Sequence, residues 1–224
     1  MLIETSMLRQ QWLKQSVYYK LKSAPNEIAS CLAMTVYYMK MDEYIDIVDK
    51  NGTFLGKTEL KSIIHQKGYY HHTSHVWFYT KNGHVLLSQR SAKKSICPLL
   101  WDVSVAGHID AGETAKQAAI RETKEEIGLD VAENDLKPIG IFPCFQTYEN
   151  GVVDNEFHNT FLAELKVPIS KLTPQVDEVE ALKLVSIETF KKLIENIGEN
   201  NHFLPSNKAY YETVLEHIIT LQKG

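Results

Sequence analysis

Residues 107–129 read GHIDAGETAKQAAIRETKEEIGL, and this stretch decides the fold. Gly112-Glu113-Thr114 is a turn that opens a helix. The helix runs to Ile127, and Gly128 stands where a left-handed residue ends helices. On such a helix Glu122, Glu125 and Glu126 fall at i, i+3 and i+4 and share one face. Three carboxylates converging there repel one another unless a cation joins them. Hard oxygen ligands in that pattern suit Mg²⁺ or Mn²⁺. Arg121 is the i,i+4 partner of Glu125 and is placed to orient the acidic helix from behind. Two adjacent glutamates alone describe a solvated helix face. Joined to Gly107, Glu113, Arg121 and Gly128 at this spacing, they describe a metal site.

The spacing resembles the Nudix box, GX5EX7REUXEEXGU with U apolar. Gly107 opens it, Glu113 takes the first carboxylate position, Arg121-Glu122 the central pair, Glu125-Glu126 the second, and Gly128-Leu129 closes it. Thr123 departs, standing at the first apolar position. The resemblance implies an α/β fold, an α/β/α sandwich around a mixed β-sheet. It implies that Glu122 and Glu126 bind metal, that Glu125 binds or supports it, and that the Gly107 carbonyl lies near it. Glu113 then supports the loop or acts as a base; as a helix-terminal carboxylate it is equally well explained by the dipole. The activity implied is metal-dependent cleavage of a diphosphate linkage.

The flanks narrow the resemblance. EYIDIVDKNGTFLG, HQKGYYHH and VLLSQRSAKKSICPLLWDVSVAGH, over about residues 41–190, resemble the Nudix branch that holds isopentenyl-diphosphate isomerases and their hydrolase-like relatives. Those isomerases carry a catalytic cysteine just before the box glycine; here that residue is Ala106. They use a histidine just after it, matched by His108, and two upstream, matched by His71 and more loosely by His65. They also use a downstream carboxylate-x-glutamate pair, matched by Asp154 and Glu156, whose glutamate serves metal binding and proton transfer. Alanine is neither acid nor base, so hydrolysis is the favoured reading, with Glu113, Glu125, Glu156 and Arg121 as its catalytic set. The rivals are an isopentenyl-diphosphate isomerase and a non-catalytic metabolite-sensing domain.

The chain has 224 residues, 44% hydrophobic and 23% charged, with a net charge of −4. That suits one domain with additions and weighs against a nucleic-acid polymer as partner. The expected partner is a small diphosphate substrate, either a nucleoside diphosphate derivative or a prenyl diphosphate. Arg90, Lys93 and Lys94 form a basic loop that either attracts its phosphates or, for Lys93 and Lys94, is simply solvated, with Arg90 and His108 as the substrate-binding candidates. Trp77, Phe78, Trp101, Phe142, Phe145 and Phe157 fill the core or touch the substrate. Three separated cysteines, Cys31, Cys97 and Cys144, and no signal or membrane-spanning run point to the cytoplasm. Residues 1–38 read either as an N-terminal extension that packs on the domain or makes a homodimer contact, or as the product of a start chosen upstream of Met39. Residues 39–224 read as the Nudix domain with C-terminal helices.

Asn51-Gly52 and Asn82-Gly83 are hairpin turns. A strand is expected over 44–48, a helix over 58–66 capped by Thr58 and ended by Gly68, and strands over 75–80, 85–87 and 102–105. Further strands are expected over 139–142, 159–165 and 181–185, and helices over 188–197 and 210–221.

Overall fold

The structure, a computed structural model, describes residues 43–222. The extension expected over residues 1–38, and Cys31 within it, lie outside the described residues. No helix among the described residues is long and apolar enough to cross a membrane.

The first hairpin joins β1 (Tyr44–Val48) to β2 (Phe54–Leu60) around Asn51-Gly52, where Gly52 takes φ 83°. The helix expected from Thr58 starts later. Thr58, Glu59 and Leu60 pair with Asp46, Ile45 and Tyr44 in the ladder. Thr58 is thus extended, and α1 (Lys61–Lys67) begins beyond Leu60 with no side-chain cap. Tertiary pairing overrides the local cap signal. Gly68 ends α1 in the left-handed region, φ 63°, as expected.

β3 (Tyr70–Tyr79) is the spine of a nine-stranded mixed sheet. It runs parallel to β8 (Val153–Glu164) along its whole length. It runs antiparallel to β1, to β6 (Val105–His108) and to β4 (His84–Arg90). β4 pairs in turn with β5 (Trp101–Asp102) and β9 (Val179–Ser186). The strand expected over 102–105 is broken: β5 belongs to β4 and β6 to β3. Ser104 bridges the break, its hydroxyl donating to the Leu86 carbonyl at 2.6 Å and accepting from the Phe78 amide at 2.9 Å. β7 (Lys137–Thr147) extends well past its expected ends despite Pro138 and Pro143. It pairs with β8 alone, and an edge strand tolerates proline.

Side-chain alternation divides the sheet into two faces. Val76 and Phe78 of β3, with Phe161 and Ala163 of β8, pack under α2 (Ala115–Ile127), the helix of the 107–129 stretch. Trp77 and Tyr79, with Leu162, pack under α3 (Ile187–Glu195) and α4 (Lys208–Gln222). This is the expected α/β/α sandwich. α2 starts at a capping box in which Thr114 and Gln117 bond reciprocally, and it ends at Gly128, φ 70°. Thr123 is fully buried, and its hydroxyl donates to the Ala119 carbonyl at 2.6 Å. A polar residue fits the apolar position because the helix itself satisfies it.

The stretch between α3 and α4 is pinned to Trp101. The Trp101 amide donates to Asn201 O and the Phe203 amide to Trp101 O, both at 2.8 Å. The His202 ring stacks on the indole, and Lys183 lies over the same ring while donating to His202 Nε2 at 2.6 Å. Burial, and then the Lys183 charge, push His202 from 6.5 down to about 4. The folded protein therefore holds a neutral ring that the unfolded chain protonates near 6.5. Its contribution to stability is complete above that pH and is lost as pH falls toward 4. In thermal melts between about pH 7 and 4.5, His202→Gln is expected to lose less stability than the parent. Equal losses would remove His202 as the titrating group.

Candidate active site

Arg121 organises the first part of the site. Its Nε and Nη2 donate to the two oxygens of Glu113 at 3.1 and 2.8 Å. Its Nη2 also donates to the His108 carbonyl at 2.9 Å, and its Nη1 donates to Glu122 at 2.6 Å and Glu125 at 3.3 Å. This bidentate, charge-assisted clamp ties the loop at 108–113 to α2. It neutralises part of the acidic face and leaves Glu126 aside.

Gly107 is the second part. A Cβ built there would lie 2.0 Å from Cδ and 2.2 Å from Oε1 of Glu122. Only glycine lets that carboxylate rest against the strand. Burial raises the pKa of Glu122, against the pull of Arg121. Burial, and then the Glu122 charge, raise that of Glu126, against the Lys94 charge and a 3.4 Å bond from the Ala106 amide. Two largely buried carboxylates with raised pKa values, only one of them bonded to Arg121, stand beside a backbone cradle and fit a divalent cation.

Both line a cleft of about 720 Å³, which Tyr211 of α4 also borders. Its opposite wall follows from strand alternation. His71, Thr73 and His75 of β3 lie beside Asp154, Glu156 and His158 of β8, with His71 and Glu156 in direct register. His65 enters from α1 and His108 from β6. One ligand atom each from His65, His71, His108 and Glu156 lie within 4.8 Å of one another. His108 Nε2 sits 3.3 Å from His65 Nε2, and Asp154 Oδ1 lies 3.4 Å from His65 and 3.7 Å from His71. His71 Nε2 and Asp154 Oδ1 are buried without a hydrogen bond among the described residues. Burial, then Lys61 and His71, hold His108 neutral, well below the usual histidine range. Burial opposes ionisation of Glu156, yet His158 and His71 keep its pKa well below the usual carboxylate range. Three imidazoles, one of them held neutral at His108, an ionised Glu156 and the unbonded His71 Nε2 also fit a divalent cation, with a mixed nitrogen and oxygen set.

The structure brings Gly107, His108, Glu122, Glu125, Glu126, Glu156 and Arg90 together on this cleft. It places Glu113 and Arg121 outside the cleft lining, bonded to each other. Arg90 reaches the wall, but its Nε and Nη2 donate to the carbonyls of Ile96 and Cys97. Lys94 pairs with Glu178, and Lys93 with Asp177 at 2.6 Å. None of the six aromatic candidates lines the cleft; Trp77 and Phe78 are fully buried in the two cores. Sequence reasoning missed Lys61, Asp102, Asn207 and Tyr211 on the cleft wall. The i,i+4 spacing of Lys61 and His65 was the available signal for the first. The others sit beside the cleft only through tertiary contact.

The sequence model of the NUDIX domain matches residues 70–206. A Nudix hydrolase of Clostridium acetobutylicum is 34% identical over 205 residues, 80% of this chain and 98% of that protein. The chain belongs to the Nudix hydrolase family. Isopentenyl-diphosphate Delta-isomerase of an Enterobacter species is also similar, 30% identical over 70% of this chain and 84% of its own. Nudix hydrolase 3 of Arabidopsis thaliana is 33% identical over 158 residues, 68% of this chain but only 20% of that much longer protein. Among solved structures, DR0079 from Deinococcus radiodurans shares the fold, with a TM-score of 0.55 at 18% identity over 71% of this chain and 91% of its own. The Nudix match starts at β3 and ends before α4. His65 and Tyr211, which line the cleft, therefore lie outside it.

Proposed function

We propose that this Nudix protein hydrolyses a diphosphate linkage in a small metabolite, a nucleoside diphosphate derivative or a prenyl diphosphate, with Mg²⁺ or Mn²⁺. The observation that carries the reading is the contact between Gly107 and Glu122, which seats carboxylates at the cleft, with the nearby Lys94 paired to Glu178 and Glu126 still raised in pKa. Glu122 and Glu126, with the Gly107 backbone, would hold one cation. His65, His71, His108 and Glu156 would hold another. When bound, such ions neutralise phosphoryl charge and activate water. Glu125, half-exposed at the cleft, accepts a proton from the attacking water, with Glu156 as a second acceptor on the opposite wall. Arg121 fixes Glu122 and Glu125, and Glu113 fixes Arg121. Arg90 and His108 orient the substrate phosphates. Ala106 offers the cleft a methyl group, which neither gives nor takes a proton, and this favours hydrolysis over double-bond migration.

The test is phosphorus NMR on the full chain with Mg²⁺ or Mn²⁺ and a panel of nucleoside diphosphate derivatives and prenyl diphosphates. Cleavage of a phosphoric anhydride is expected, with isopentenyl diphosphate left unisomerised. Isomerisation without cleavage would establish the isomerase instead. Binding without turnover across the panel would establish a sensing domain.

A further inference from the structure

Behind the histidine wall, a chain of contacts runs from the C-terminal helix to Glu156. The Trp77 indole N–H, which can only donate, bonds the Tyr210 hydroxyl at 2.8 Å. That hydroxyl lies 3.0 Å from His75 Nδ1. Thr160 Oγ1 lies 3.4 Å from the same hydroxyl, and the bond to Nδ1 holds the plane of the His75 ring in either of its tautomers. The His75 ring lies flat on the His158 ring, centroids 3.9 Å apart at 24°. His158 Nε2 bonds Glu156 Oε2 at 2.8 Å. The other oxygen, Glu156 Oε1, faces His71 Nε2 at 3.7 Å and His108 Nε2 at 3.9 Å. Each contact fixes the plane of the next group, and the last one decides which oxygen of Glu156 faces the histidines.

We propose that Tyr210 is a positioning residue, whose hydroxyl, through His75 and His158, aims Glu156 Oε1 at the His65, His71 and His108 cluster. The inference rests on Glu156 as a cation ligand. It makes α4 part of the site, although α4 lies beyond the matched residues 70–206. Groups that orient metal ligands from behind typically change metal affinity about 10- to 100-fold when removed.

The test is Tyr210→Phe, read by electron paramagnetic resonance of Mn²⁺. Nitrogen hyperfine modulation reports only imidazole-bound Mn²⁺, and so separates this cluster from the all-oxygen face of α2. The expected result is a loss of about 10- to 100-fold in affinity of the nitrogen-coordinated ion. In hydrolysis, kcat should fall while KM stays within about twofold. His75→Phe keeps the stacked ring but removes Nδ1, and should give the same loss. The double variant should lose no more than either single one, because the two groups act as one unit. Unchanged Mn²⁺ affinity in the variants, with only a lower melting temperature, would make Tyr210 a packing residue and overturn the proposal alone. Absence of nitrogen-coordinated Mn²⁺ in the parent would overturn the reading of Glu156 as a ligand, and this proposal with it. Should Tyr210→Phe fail to fold, the His75→Phe measurement decides by the same criteria.

Discussion

Glu126→Gln is expected to lower kcat by about three orders of magnitude, about 4 kcal/mol of transition-state stabilisation. The amide keeps the size and helix propensity of the side chain but removes the charge that a cation requires. The fold should not suffer. Glu126 is buried, and its pKa is raised by that burial and by Glu122. Its ionised form is therefore a liability to the metal-free protein at neutral pH. The folded carboxylate binds its proton more tightly than the unfolded one, so the parent loses stability as pH rises through the interval between the two pKa values. The glutamine variant carries no such loss. In chelator at about pH 8 it should melt no lower than the parent, and Mn²⁺ should stabilise it less than it stabilises the parent. Near-normal turnover would sink the cation-centred mechanism. A large fall in melting temperature would mean that Glu126 serves the fold.

The second large effect is expected from Gly107→Ala. The new methyl would stand 2.0 Å from the Glu122 carboxyl carbon, so that side chain must move by an ångström or more. A displacement of about 1 Å in a positioned group costs about 100-fold in rate. Overpacking adds about 1–3 kcal/mol of destabilisation. Because Arg121 holds Glu122 and Glu113 together, the shift should also loosen the loop at 108–113, visible as faster amide exchange there. A variant with parental kcat and parental exchange would show that the Gly107 cradle is not needed for chemistry.

Much of this was legible in the sequence because it is local. Thr114, Gln117 and Gly128 mark the ends of α2 within one helical turn of themselves, and two Asn-Gly pairs mark hairpins. The errors came where distant chain decides. Thr58 looks like a cap until β1 pairs with it. Residues 102–105 look like one strand until Ser104 moves the chain from β4 to β3. The N-terminal half of β8 was missed for a reason tied to function. Its inward residues, Asp154, Glu156 and His158, are polar because they face the cleft, whereas farther along Leu162 is apolar because it faces the core. A reading that assigns polar residues to the outside fails where a strand lines a site. Glu156 was found all the same, through its family motif. Tyr210 and Tyr211 had no such signal. On an amphipathic helix they look like any other core residues, and only the packed fold brings them behind and beside the site.

The parallel run of β3 against β8 ties chemistry and core to a single numerical offset. Ten consecutive residues are matched, from Tyr70 with Asn155 to Tyr79 with Glu164. One residue inserted or deleted within β8 between Asp154 and Leu162 would turn part of the strand over. Asn155, Phe157 and Asn159 would then exchange places with the acids and His158, or Phe161 with Leu162. Length variation in homologues should therefore be absent from this strand and should gather in the preceding turn at residues 148–152, which shifts nothing on either face.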